Sequence, residues 1–157
     1  MCGAVRFAWH DVDDALLPVS TMPAGIYESR YWQGIPVLPV QCADAPAQLM
    51  RWGNRNEISD LPATGWVKHE SLQAGKWQRY HPVPVTIPVM AGYEQGVWFG
   101  IDYGIYGIVA AGRVFMLTEA ADPDYWQMTH HQRMPLLIAQ TIRVPLPGSQ
   151  HQQRLFE

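Results

Sequence analysis

The chain has 157 residues, a length typical of one domain. It is 48% apolar, which supplies a core, and 11% aromatic with only 16% charged, which excludes a disordered polar chain. Apolar runs are broken by proline or glycine within about six residues, short of the roughly 20 a membrane-spanning helix needs, so no contact with a membrane is expected. Eleven Lys and Arg against fourteen Asp and Glu give a formal charge of −3, which argues against wrapping duplex DNA through the net field.

The first residues, Met1-Cys2-Gly3-Ala4, show no basic stretch leading into an apolar one. No signal peptide is expected, and a cytoplasmic location follows. Thirteen prolines and thirteen glycines separate short runs rich in Val, Ile and aromatic residues, the rhythm of strands joined by turns. Strands are expected at residues 5–9, 35–40, 83–89, 97–101, 105–110, 114–118, 135–138 and 141–146. Short helices are expected at 45–52, opened by Asp44 and Pro46, and at 122–128, opened by Asp122-Pro123. Residues 53–65 lack an apolar period and read as a surface loop, and 148–157 as a polar C-terminal tail. The expected fold is a single α+β domain over 1–147, dominated by a barrel-like, strongly bent, mostly antiparallel sheet with a few short helices.

Charge is uneven. Residues 51–79 hold Arg51, Arg55, Lys68, Lys76 and Arg79 against Glu57, Asp60 and Glu70, together with Trp52, Trp66 and Trp77. Bases interleaved with aromatics suit single-stranded nucleic acid, whose phosphates attract cations and whose unstacked bases lie on flat apolar faces. The plainer reading makes the tryptophans core and the bases a solvated rim.

Three features could carry chemistry. Cys2, with Met1 removed, would present an α-amine beside a thiol, a pair that condenses with an aldehyde to a Schiff base and then a thiazolidine, or that attacks an acyl group. The alternative is an incidental cysteine. His130-His131-Gln132-Arg133-Met134-Pro135 sets an imidazole and a guanidinium at the start of an apolar strand. His passes protons near neutral pH and Arg grips phosphate, although adjacent strand residues face opposite ways, so only one histidine is expected to serve a site. Glu94 emerges from the apolar segment Ile87-Pro88-Val89-Met90-Ala91-Gly92-Tyr93. Buried there, its carboxyl would be raised into the range of general acid–base work, whereas an exposed hairpin glutamate would do nothing.

Taken in order, these segments resemble the SOS-response-associated peptidase (SRAP) family, abasic-site processing proteins of the DNA damage response. The family's opening Met-Cys-Gly is Met1-Cys2-Gly3, and its Trp-Gly segment resembles Arg51-Trp52-Gly53. Its Asn-Ala-Arg-x-Glu-Thr motif is similar to Trp66-Val67-Lys68-His69-Glu70-Ser71, and its Pro-Ala-Asp-Gly-Phe-Tyr-Glu-Trp motif lies without a gap on 88–95. Its Leu-Thr-x-Ala strand end resembles Leu117-Thr118-Glu119-Ala120, and His-x-Arg-Met-Pro stands intact from His131 to Pro135. The likeness covers nearly the whole chain to about Ile138. Trp66 and Lys68 replace the motif's Asn and Arg, and Gln33 is the nearest amide where the family has an Asn, departures that suggest a divergent, phage-related member.

The resemblance implies a protein that forms a covalent crosslink with abasic sites in single-stranded DNA. Cys2 would supply the nucleophiles, Glu94 would lie near its amine, and His131 would transfer protons near the sugar. Lys68 and Arg133 would meet phosphates, and Gln33, Trp52 and Trp66 would line the DNA path. No metal or organic cofactor is required. Two other classes are open: an N-terminal-nucleophile cysteine peptidase, which would use the same Cys2 as a thiolate with an oxyanion site, and a catalytically weakened or non-catalytic single-strand binding module built on 51–79, which would tolerate loss of Cys2.

Overall fold

The computed structural model describes residues 2–18, 22–23, 25–139 and 142–145. One five-stranded antiparallel sheet takes its strands from both ends of the chain. β1 (Ala4–Ala8) lies between β2 (Ile26–Arg30) and a later strand, β7 (Ala91–Glu94), and β8 (Val97–Ile101) and β12 (Ile142–Pro145) complete the order β12-β8-β7-β1-β2. The N-terminal strand is therefore central, and residues just before it are held from both sides.

A short ribbon pairs β3 (Val37–Val40) with β4 (Gln48–Arg51). The second large sheet has the order β11-β10-β9-β6, from β6 (Val83–Ile87), β9 (Ile105–Ala110), β10 (Arg113–Ala120) and β11 (Arg133–Pro135), and β5 (Trp66–Lys68) runs parallel to β10. Helix α1 (His69–Gln73) follows β5, and α2 (Pro123–Thr129) joins β10 to β11.

Alternation along β10 explains why that sheet is buried on both faces. Val114 and Met116 enter the main core with Val5, Phe7, Phe99 and Ile105, while Phe115 and Leu117 enter a second core with Val67, Trp77 and Ile108. Each such side chain taken fully out of water stabilises the fold by about 1.5–3 kcal/mol. Trp77, 7% exposed, stacks on Phe115 with ring centres 5.0 Å apart and closes the second core.

Several expectations are corrected. Neither large sheet closes or curls into a barrel: each keeps open edges, because the strands divide among three sheets, and a rhythm of short strands does not encode which strand pairs with which. Residues 45–52 form no helix. Gln48–Arg51 pairs with the wholly buried β3, and a two-turn helix, marginal alone, loses to that long-range pairing. The strand expected at 135–138 sits earlier, at Arg133–Pro135, with an isolated bridge at Leu137. By contrast β8 and β9 have the expected bounds, and α2 begins as expected, with the Asp122 side chain accepting the Tyr125 amide at 2.7 Å and Pro123 in the first turn.

Residues 53–65 do form a loop, but an anchored one. Gly53 N donates to Val114 O, Met116 N to Gly65 O, and the buried Asn54 amide bonds Ile58 and Leu61 carbonyls. The tail at 148–157 lies outside the described residues. No helix among the described residues is long and apolar enough to cross a membrane.

Candidate functional site

The central position of β1 fixes the backbone around Cys2. Gly3 N donates to Tyr93 O and Gly3 O accepts from Tyr31 N, both at 3.0 Å, extending the ladder toward both neighbours. Trp66 Nε1 donates to the Cys2 carbonyl at 3.0 Å. The thiol is fully buried, 3.3 Å from Ala4 O, and packs over Gly92, where a β-carbon would stand 2.8 Å from Sγ and 2.7 Å from Phe99 Cζ. Glycine at 92 leaves the space the thiol occupies.

Glu94 ends β7 just before the two-residue turn Gln95-Gly96, both with positive φ, the geometry that suits a tight hairpin. That turn carries the chain straight back as β8 and leaves the carboxylate on the inner side, 5% exposed. Its Oε1 is met by two groups from the α2 region: Tyr125 Oη at 3.5 Å and His131 Nδ1 at 3.5 Å.

The local sequence around α2 aims both groups. The Asp122 cap seats Tyr125 in the first turn, and the buried Tyr125 ring meets Phe99 edge-on at 5.5 Å. At the other end Thr129 Oγ1 donates to Tyr125 O and accepts the His131 amide, while His130 takes a left-handed conformation (φ 56°) that ends the helix. His130 is exposed and stacks against Trp126, so only His131 reaches the site. Its Nδ1 lies 3.1 Å from both the amide and the carbonyl of Arg133, so a backbone partner is present whichever ring nitrogen carries the proton.

Burial pushes the Cys2 thiol up from 9.0 to about 12, opposed by a hydrogen bond from the Tyr93 backbone and reinforced by the Glu94 charge. Burial also drives the Tyr125 phenol far above its ordinary range, with Cys2 and then Glu94 acting in the same sense. Cys2, Glu94 and Tyr125 are thus buried close to one another, with His131, part-exposed, at their border. The arrangement combines a buried thiol, a buried carboxyl group and a part-exposed imidazole.

No family model, curated protein or solved structure matches the chain.

The residues expected along a DNA path fare differently. Lys68 is exposed at the end of β5. Arg133 is bound bidentately to Glu70, at 2.8 and 3.2 Å, and also to Thr118 O and Oγ1, so its fork braces β11 against α1 and β10 rather than standing open for phosphate. Trp52 is 1% exposed, with its indole N–H donating to Gly65 O, and offers no face for a base. Trp66 is half-buried between Tyr31 and Trp52 and holds the Cys2 carbonyl. Gln33 lies exposed in the turn after β2, beside a groove of about 630 Å³ that Glu28, Ser29 and Arg30 also line.

Sequence reasoning missed Tyr125 and the positioning role of Trp66. The capping pattern at Asp122-Pro123 locates Tyr125 on a helix, but nothing local shows that its hydroxyl meets Glu94. Among the described residues, no group of three or more His, Cys, Asp or Glu is placed to hold a metal ion.

Proposed function

We propose that this chain captures abasic sites in single-stranded DNA as a divergent SRAP-type protein, through a thiazolidine formed by Cys2. What supports the reading is the meeting of Cys2, Glu94 and His131, three residues singled out in separate segments, around one buried space. The reaction requires removal of Met1, which frees the Cys2 amine. The amine adds to the open-chain C1′ aldehyde, and the carbinolamine loses its oxygen as water, protonated by His131, to give an iminium. The thiol then adds to that carbon and its proton passes to Glu94. One C–N and one C–S bond form, and one water leaves.

Burial holds the Cys2 thiol protonated, so in this scheme the amine acts first and the sulfur follows, with its proton removed as it adds. Phosphate attraction falls to Lys68, since Arg133 is committed to Glu70 and Thr118.

The test is a division of labour measured on protein lacking Met1 and an abasic oligonucleotide. Cys2→Ser keeps the amine but not the thiol and should yield an adduct only when trapped by borohydride. Glu94→Gln and His131→Ala should slow adduct formation by about 10²–10⁴ while leaving strand binding nearly unchanged. Full early-time rates in both variants would remove these residues from the reaction.

A further inference from the structure

Apart from Arg79 over Tyr80, 5.1 Å away, the pairing of bases with aromatics lies on the half-buried outer face of the first sheet, beside the N-terminus. The register sets Arg6 opposite Glu28, Ala4 between Arg30 and Tyr93, and Tyr93 opposite Trp98, all on one face. Because Ala4 carries only a methyl group, the Arg30 guanidinium lies over the strand, 5.8 Å from the Tyr93 ring, 5.9 Å from Trp32 and 6.0 Å from Trp98. Arg6 stacks over Trp98 at 3.8 Å. Both arginines bond the one carboxylate of Glu28, so among the described residues this cluster pairs two positive charges with one negative.

Trp32 is the open end of this row. It is 53% exposed, although a large aromatic ring at the surface forfeits burial energy, and it lies directly on Gly3, where a β-carbon would be 2.6 Å from its ring. The platform thus begins at Gly3, next along the chain from Cys2, on the face of the sheet opposite the buried thiol. A ligand for it needs flat aromatic groups and negative charge on the same chain, and single-stranded nucleic acid supplies both at every nucleotide.

We infer that Trp32, with Arg30 beside it, is a stacking subsite for a nucleobase flanking the position that reaches Cys2, the Arg30 guanidinium attracting the adjoining phosphate. The inference rests on the abasic-capture reading for what lies at Cys2, but its test uses undamaged DNA and stands apart from that reaction.

The experiment measures binding of a fluorescein-labelled undamaged oligothymidylate by anisotropy at several salt concentrations. Trp32→Ala should weaken binding roughly 5- to 150-fold, the range for loss of one base–aromatic stack, and Trp32→Phe should restore most of it. Arg30→Gln should lower the salt slope by about 0.7, one phosphate's share. A poly(Glu,Tyr) copolymer, anionic and aromatic but without bases, should compete poorly. Photocrosslinking of the wild type to an oligonucleotide carrying 5-iodouridine should place the adduct on Trp32, which decides the matter should Trp32→Ala not fold. Undiminished affinity of folded Trp32→Ala, adducts confined to other peptides, or equal competition by the copolymer would overturn the subsite. Trp32-dependent binding without any abasic adduct would leave the subsite standing and overturn capture, and the reverse pattern would do the opposite.

Discussion

Replacing Gly92 with alanine would place a methyl carbon 2.8 Å from Cys2 Sγ and 2.7 Å from Phe99 Cζ. Favourable carbon contacts begin at about 3.5 Å, so the thiol, the ring or the strand must shift. Overpacking of this kind typically costs about 1–3 kcal/mol, and the alanine recovers about 0.4–1 kcal/mol by restricting the unfolded chain. The expected net loss is therefore at most about 2.6 kcal/mol, with a midpoint of about 1.3 kcal/mol, a fall of several degrees in Tm for a protein of this size. On the proposed reaction, adduct formation with abasic DNA should slow as well, since the thiol is displaced from its place over Gly92. A double-mutant cycle identifies the cause: in a Cys2→Ala background one of the two clashes disappears, and the penalty of Gly92→Ala should shrink by at least about 0.5 kcal/mol, beyond ordinary additivity error. Urea unfolding of the four proteins supplies the numbers. An equal penalty in both backgrounds would show that the thiol does not occupy the space above Gly92.

Raising the Cys2 pKa from 9.0 to about 12 on folding gives stability that is complete below pH 9 and is lost as pH rises from 9 toward 12, because the unfolded chain releases the proton first. Wild type should therefore lose up to about 1.4 kcal/mol per pH unit relative to Cys2→Ala across that window, read by urea unfolding at pH 8, 9.5 and 10.5; parallel curves would refute it. Tyr125→Phe removes the hydroxyl that meets Glu94 and should slow adduct formation and move its pH–rate profile, while costing about 0.5–1.5 kcal/mol of stability. Lys68→Gln should weaken single-strand binding and flatten its salt slope without changing Tm. Arg133→Ala should lower stability by about 1–3 kcal/mol because the buried Thr118 loses its donors, whereas Glu70→Gln, on the exposed side of the pair, should cost less than about 1 kcal/mol.

Local signals in the sequence located what local physics decides. The bounds of β8 and β9 follow from apolar runs ended by turns, and α2 from a capping aspartate followed by proline. Cys2, Glu94 and His131 each stand out in the sequence as able to carry chemistry, but only the family resemblance puts them at one site, because no local feature of three distant segments shows that they meet. What failed depends on distant partners. Gln48–Arg51 is a strand only because β3 needs a mate, and open sheets rather than a barrel follow from pairing choices that strand lengths do not encode. The tryptophans at 52, 66 and 77 stand near bases in sequence, and composition favours the plainer reading of them as core, but the resemblance puts Trp52 and Trp66 along the DNA path. Folding turned Trp52 and Trp77 into core and Trp66 toward Cys2, while β1, β2, β7 and β8 and the turn after β2 assembled a half-buried Arg–aromatic face from residues 6, 30, 32, 93 and 98. Arg133 illustrates the same limit, since nothing in His131-Gln132-Arg133 reveals that Glu70 fills its fork.

Intact-mass measurement tests the central claim most directly. Protein purified without an N-terminal tag is incubated at neutral pH with a single-stranded oligonucleotide bearing one abasic site, then denatured. The account predicts a protein species lacking Met1, converted without added reductant to an adduct whose mass is the sum of protein and oligonucleotide less one water, with the modification on Cys2. Folded protein that lacks Met1 yet forms no such adduct, or protein that retains Met1 throughout, would contradict it.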